Sequence, residues 1–429
     1  MPITEILLNI LLITLNIYLF KKNLNNKKLL IVLNSGIYIT IIGIYFSLLI
    51  IESGEYISEQ YIYGYANYAS VYILIFMLII SYTIGTVKKG NILVDSQRNS
   101  VEISECNKTA SLIMLMLVVL VVSLNILVIN ILGFGKGLDR FDPFGDFYYK
   151  DLMKKINFYF SGISPYFIVR IKKKYRIYII ILLIVNGLAQ LASFAVFFSL
   201  IVPIGIVYVK DIDKIKNKIL EKKYVKKYIV ILILFSFSAI TIKLSQYSDN
   251  KTLYLYKRYV VQGQLFWGSI NSQKEADIDY QLKYFIKDFP KIKGFEISPD
   301  YGFGYLMVLI SGDLAYRYME NNIRMTSGMP AILIVNFGLI LSFIIFACII
   351  KIYIFYLKYY TTSMLNDNIF LFLIISQINI AFSNLLFMGE YGHFNAKFFF
   401  FVVIYISGKK IMMINRKITK KVNIYSYST

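Results

Sequence analysis

Two cations, two glutamines and the chain's one tryptophan fall within 13 residues, "YKRYVVQGQLFWG" at 256–268. A helix over 253–267 would set Arg258 and Gln262 one turn apart on a face that Phe266 continues. The spacing recurs in "DLAYRYMENNIRM", where Arg317, Asn321 and Arg324 stand at i, i+4 and i+7. A guanidinium fork matches phosphate oxygens, side-chain amides suit sugar hydroxyls, and an aromatic face such as Trp267 can stack on a sugar ring. Together these residue types read as a grip on a lipid-linked pyrophosphate-sugar. Plainer readings stand beside that one. Glu320 lies three residues after Arg317 and four before Arg324, the spacing of ordinary helix ion pairs. Trp267 fits a membrane-interface anchor better than a sugar platform.

Two further stretches could move protons or bind polar groups. "MGEYGHFNAK" (388–397) brings Glu390 within three residues of His393, the sole histidine, which would suit proton transfer to or from an acceptor hydroxyl. A histidine bonded to a loop carbonyl is the alternative. In 133–155, Asp139, Arg140, Asp142 and Asp146 are interleaved with Phe and Gly, a pattern that by default makes a solvated turn. Arg140 and Asp142 remain second-rank candidates for an acceptor sugar. Phosphate-binding glycine loops, dinucleotide fingerprints, HExxH and zinc-ligand pairs are missing from the sequence, so neither a metal nor a cofactor is expected. Cys106 and Cys348 are placed too far apart to bridge.

The elements that would carry these residues are membrane helices. Hydrophobic residues make up 57% of the 429 and charged ones only 17%, with a mean hydropathy of +0.61. An all-α polytopic membrane protein of about eleven spans is expected, at 3–20, 29–51, 69–87, 109–132, 156–169, 177–188, 191–209, 228–242, 329–356, 368–388 and 394–408. This divides the chain into an eight-span bundle (1–242), one large external loop (243–328) and the last spans with a basic tail (329–429). The first apolar run follows Glu5 without a basic leader and is expected to remain as a span. Amphipathic helices are expected at 253–267 and 312–324 within the large loop.

A formal charge of +21 raises nucleic acid as a partner. The cations argue against it, because they sit in short knots between apolar runs: "KKNLNNKK", "RIKKKYR", "KDIDKIKNKILEKKYVKK" and "KKIMMINRKITKK". With the N-terminus outside, every knot falls on the cytoplasmic side and faces anionic headgroups. The Lys- and Arg-free gap at 52–68 then falls outside, as does the whole polar surface described above. Two spans strain the pattern. "NFYFSGISPYFIVR" is short and carries Gly162 and Pro165, which suits either a broken helix lining a cavity or a tilted packing helix. The run 177–209 is read as two short helices around "NGLAQ". No internal repeat is visible, and no charge buried in mid-span.

This layout resembles the bacterial oligosaccharide repeat-unit polymerases, the Wzy-type O-antigen and capsule polymerases of the multi-span GT-C-like glycosyltransferase group. The likeness covers the chain as architecture. At residue level it rests on Arg258 and Gln262, on Arg317 and Arg324 leading into "SGMPAILIVNFGLI", and on His393. It implies a metal-independent glycosyltransferase of the bacterial inner membrane. Such an enzyme would move a growing glycan from undecaprenyl pyrophosphate to the non-reducing end of another lipid-linked repeat unit at the periplasmic face. Arginines 258, 317 and 324 would stabilise the leaving pyrophosphate. Glu390 or His393 would be the base, while Gln262, Arg140, Asp142, Asn321 and Trp267 would bind substrate. The lipid bilayer and a chain-length regulator protein are the implied partners. An O-antigen ligase and a lipid-linked oligosaccharide flippase or transporter are the competing expectations.

Overall fold

A computed structural model describes residues 2–53, 66, 68–87, 105–132, 144, 147–189, 200, 202–207, 263–271, 302–320, 328–365, 368–388, 394 and 397–411. Among the described residues the secondary structure is helical and no strand occurs. In chain order the helices used below are α1 (Ile3–Asn26), α2 (Lys28–Leu33), α3 (Ser35–Glu52), α4 (Ala69–Thr86), α5 (Lys108–Ile126), α6 (Lys150–Arg170), α7 (Lys173–Ala189), α8 (Gln264–Asn271), α9 (Gly302–Ser311), α10 (Asp313–Glu320), α11 (Gly328–Leu365), α12 (Ile369–Ser383) and α13 (397–411), and 202–207 is also helical. Six stretches among them are long and apolar enough to cross a membrane, in α1, α3, α4, α5, α11 and α12. The expected eighth span, 228–242, and most of the seventh lie outside the described residues.

Helix α1 is inverted relative to a helix of a water-soluble bundle. On α1 the buried residues are all polar, Glu5, Asn9, Asn16 and Asn23. Intervals of 4, 7 and 7 put them on one face. That face lies on α4, where the Asn9 amide donates to Ser70 Oγ (3.0 Å), Asn16 to the Leu74 carbonyl (3.1 Å) and Asn23 to the Ser81 carbonyl (2.6 Å). Ile3, Leu7 and Leu11 point outward instead, as do Met116 on α5, Ile340 and Phe355 on α11, and Val403 on α13. Polar side chains joining helices beneath an apolar exterior are the arrangement expected in lipid, where apolar contact between helices has no advantage over contact with acyl chains. A second such joint links α5, α6 and α7: Asn125 donates to Asn157 Oδ1 (2.7 Å) and Asn186 Oδ1 (2.8 Å), and Asn157 donates back to Asn125 (2.9 Å).

Aromatic rings fill the centre. Phe76 of α4 meets Phe266 of α8 at 6.1 Å between ring centroids, and Phe343 and Phe346 of α11 at 4.7 and 4.9 Å. Tyr356 stacks on Phe382 of α12 at 4.7 Å, and its hydroxyl donates to the Ile375 carbonyl.

Of the two strained spans, the first takes the packing-helix alternative. Helix α6 runs unbroken through Pro165 from Lys150 to Arg170. Proline cannot donate to the carbonyl four residues earlier. Ser164 Oγ donates to that carbonyl, on Ser161, at 3.1 Å. Gly162 meanwhile lets α12 approach, since a Cβ there would stand 3.2 Å from Ser376 Oγ. Helix α7 ends at Ala189, within the "NGLAQ" where the first of two short helices was expected to stop, and residues 190–199 lie outside the described residues. A further break lies in α11. Gly338 interrupts α11 with φ 71° and ψ 172°, a conformation essentially confined to glycine. It divides α11 into a half-helix, buried from Gly328 to Asn336, and a long second part whose outer face is apolar.

Candidate functional site

The described helices of the expected large loop pack into the bundle. Helices α8 and α9 both come from 243–328, and Leu265, Phe266, Leu306 and Met307 are fully buried within the main core. Helix α8 packs against α3, α4, α9 and α11. Two glycines permit this. A Cβ at Gly268 would meet Ile310 Cγ1 at 2.4 Å, and one at Gly263 would meet Ser47 Oγ at 2.5 Å. The Gly263 N–H donates to Ser47 Oγ at 2.8 Å. The N-terminal end of α8 is thereby fixed beside the middle of α3. Gly328, which opens the buried half of α11, lies against Ile44 and Thr40 of the same helix.

The expected helices of this region are found only in part. Of the helix expected at 253–267, the described part is helical from Gln264 on, and 253–262 lie outside the described residues. Arg258 and Gln262 lie outside the described residues. Phe266 faces Phe76 and the core rather than solvent. Trp267 is half-buried against the same core. The second expected helix, 312–324, is observed as α10, Asp313–Glu320. Arg317 is exposed in its last turn and Asp313 opens its first, the placement that the helix dipole favours. Asn321 and Arg324 lie outside the described residues, as do Arg140, Asp142, Glu390 and His393. The structure therefore describes Trp267 and Arg317 among the ten candidates, on helices α8 and α10, which both pack on α9 or adjoin it. Both cysteines are free.

Two helix ends adjoin the shorter candidate loops. The chain closes with a π-helical turn at Leu127–Ile131 before 133–155, and with another at Asn384–Met388 before Glu390 and His393. Such turns recur where a helix must redirect side chains, often at functional sites.

Other buried polar groups were missed from the sequence. Glu5 is fully buried and accepts from Ser70 Oγ at 2.7 Å. Glu52, read as the start of an external gap, is 8% exposed at the end of α3. Asn336 is buried in the half-helix of α11, and its Oδ1 has no partner among the described residues. The signal for Glu5 was present, because an apolar helix with Glu or Asn at 4- and 7-residue intervals has a polar stripe. The "RIKKKYR" knot also divides. Arg176 donates from Nε to the Ile168 carbonyl (2.9 Å) and from Nη2 to those of Val169 (3.4 Å) and Ile171 (3.2 Å). Arg170 reaches the Leu365 carbonyl at the end of α11 (2.9 Å). These two arginines cap helix ends, whereas Lys173 and Lys174 stay exposed.

Among the described residues no group of three or more His, Cys, Asp or Glu side chains is arranged to hold a metal ion. Residues 297–402, which run from before α9 into α13, match the model of a family of unknown function, DUF6418. Arg317, Asn321, Arg324, Glu390 and His393 fall inside that match, and Arg140, Asp142, Arg258, Gln262 and Trp267 outside it. No curated protein and no solved structure matches the chain.

Proposed function

We propose that this membrane protein is a glycosyltransferase that polymerises lipid-linked oligosaccharide repeat units, acting on undecaprenyl-pyrophosphate substrates at the outer face of the bacterial inner membrane. One observation carries the reading. The segment that joins the first and last spans docks α8 and α9 into the core, so the residue after Gln262 is anchored on Ser47 of α3. A connector would not need such a seat; a segment that holds a substrate against the bundle would. In this scheme Arg258 and Gln262 grip the donor pyrophosphate and its first sugar. Arg317 and Arg324 add charge to the leaving group, and His393 or Glu390 takes the proton of the acceptor hydroxyl.

The test is Arg258→Ala in cells that make the polymer. Long-chain polysaccharide is expected to disappear while protein level and membrane insertion persist, because loss of one charge-stabilising donor slows transfer about 10²–10³-fold. A normal chain-length ladder from this variant sinks the assignment.

A second reading, a lipid-linked oligosaccharide transporter, gains support from the break at Gly338 and the buried carboxylates of Glu5 and Glu52. Discontinuous helices and intramembrane charges are features of transport pathways. A deletion strain separates the two. Single lipid-linked units at the outer leaflet favour the polymerase, and units held at the cytoplasmic leaflet favour the transporter.

A further inference from the structure

Helix α12 and the π-helical turn that continues it carry amides and hydroxyls through an apolar span. The stretch "ISQINIAFSN" (375–384) sets Ser376, Asn379 and Ser383 at i, i+3 and i+7, with Gln377 and Asn384 one position further round. Phe372 opens the same stripe, four residues before Ser376. Its ring lies between Tyr166 of α6 (5.3 Å between centroids) and Tyr360 of α11 (5.6 Å). The stripe therefore follows the seam where α6 and α11 meet α12.

This seam is filled at one end and loosens toward the other. Phe372, Tyr166 and Tyr360 are all buried where their rings meet. One turn on, Gly162 brings the α6 backbone up to Ser376, which is buried and donates to the Leu373 carbonyl at 2.7 Å. Tyr166 meets Phe372 and Gly162 meets Ser376, so the two helices run antiparallel and Phe158 and Tyr159 come next on α6. Both are exposed rather than packed into the seam. Beyond Ser376, Asn379 and Ser383 are only half-buried, as are Gln377 and Asn384. None of these four side chains has a hydrogen-bond partner among the described residues. The loose end leads through the π-helical turn at Asn384–Met388 to the short loop of Glu390 and His393. Phe394, which closes that loop, packs back on Phe382 at 5.4 Å, so the loop starts and finishes beside the seam.

Three amides and a hydroxyl held half-buried in a membrane-spanning helix are costly against acyl chains, so this face calls for water or a polar ligand. All four groups are neutral. They bring no cation to hold a phosphate and no carboxylate to hold a metal ion. Each side chain both donates and accepts, which matches a ligand whose hydroxyls do the same. The aromatic rings that close the filled end suit the C–H face of a sugar. We infer that the seam between α6, α11 and α12, with Asn379 and Ser383 at its centre and Gln377 and Asn384 at its margin, binds the neutral, hydroxyl-rich ring of the acceptor sugar. The inference rests on the proposed function for the source of that sugar, a lipid-linked repeat unit.

The test places single cysteines in the full-length protein, in lipid vesicles, after Cys106→Ser and Cys348→Ser remove the native thiols. A sulfonate-bearing thiol reagent that does not cross membranes is the probe. Asn379→Cys and Ser383→Cys are expected to react at least about tenfold faster than Ile340→Cys and Phe355→Cys on the apolar outer face of α11, because thiolates form only where water reaches. Ser383→Cys is nearly isosteric and carries the test if Asn379→Cys does not fold. Lipid-linked repeat units purified from a strain that lacks this protein should then slow labelling at least about threefold, since a ligand that fills a site covers most of it. Undecaprenyl pyrophosphate without sugars should leave labelling unchanged. Reaction as slow as at the two outer positions overturns the inference, because the seam is then closed to water. Labelling that the sugar-bearing lipid does not slow overturns it too, as does equal protection by the sugar-free lipid. The Arg258→Ala chain-length ladder is read separately. Protection here with a normal ladder there would remove the polymerase assignment and keep the sugar site, whereas the reverse pair would remove the seam alone.

Discussion

At the residue scale, the buried polar side chains do most of the specifying. Arg176 is 5% exposed and serves three carbonyls at the end of α6, orphans that no further helical turn can satisfy. Removing it should leave them buried without donors. Arg176→Ala is therefore expected to lower unfolding stability by about 1.5–3 kcal/mol, read from thermal unfolding in detergent. Arg176→Lys should recover less than half, because an ammonium lacks the planar fork that spans separate acceptors. The ion pair that Arg176 makes with the half-exposed Glu105, at 3.8 Å, should matter little. Glu105→Gln is expected to change stability by less than about 1 kcal/mol, since exposed pairs are screened and the amide oxygen can still accept from the Lys173 N–H. A large loss from Glu105→Gln would reverse this ranking.

At the element scale, α11 is the helix that departs most from its sequence pattern. "GMPAILIVNFGLILSF" reads as one apolar span, and nothing in its hydropathy marks Gly338 as a break. The backbone turns there because φ 71° with ψ 172° places a Cβ in steric conflict, and glycine alone escapes it. Gly338→Ala should cost about 1–3 kcal/mol, or straighten the helix and expel the buried half from its seat on α8. Limited proteolysis near residue 338 distinguishes these results, with faster cleavage expected in the second. Unchanged stability and unchanged cleavage would mean that the conformation is not required. The opposite case is α6, where Gly162 and Pro165 left a broken helix and a packing helix both open and the structure has the continuous one. A single serine hydroxyl, Ser164 Oγ, takes up the carbonyl that Pro165 leaves.

Across the whole molecule, the apolar exterior and polar helix joints fit a bilayer, and the charge pattern predicts a direction to be tested. Alkaline phosphatase fused after residue 60 should be active, and fused after residue 90 inactive, with a cytoplasmic reporter giving the reverse. The opposite result would invert the chain and carry the proposed active face to the cytoplasm. The same orientation would put the buried Glu5 of α1 and Glu52 of α3 on the outer side.

Hydropathy alone established the helical membrane class, because about 20 apolar residues in succession have few other places to go. It also placed the candidate polar surface in the gaps between spans, where Arg258, Arg317 and His393 stand out by type. What it could not establish was which residues point inward. Glu5 and Asn9 look like flanks and spacers of an apolar run until α4 is laid beside them and Ser70 becomes their shared partner. Phe266 looked like part of a binding face until Phe76 claimed it for the core. Periodicity says which residues share a face, but only packing against a neighbouring helix decides whether that face meets lipid, water or protein. For the same reason two helices of the long inter-span segment, α8 and α9, are seated in the core. Gly263 and Gly268 are small enough to let α8 in, and that is a property of the pair of surfaces rather than of either sequence alone.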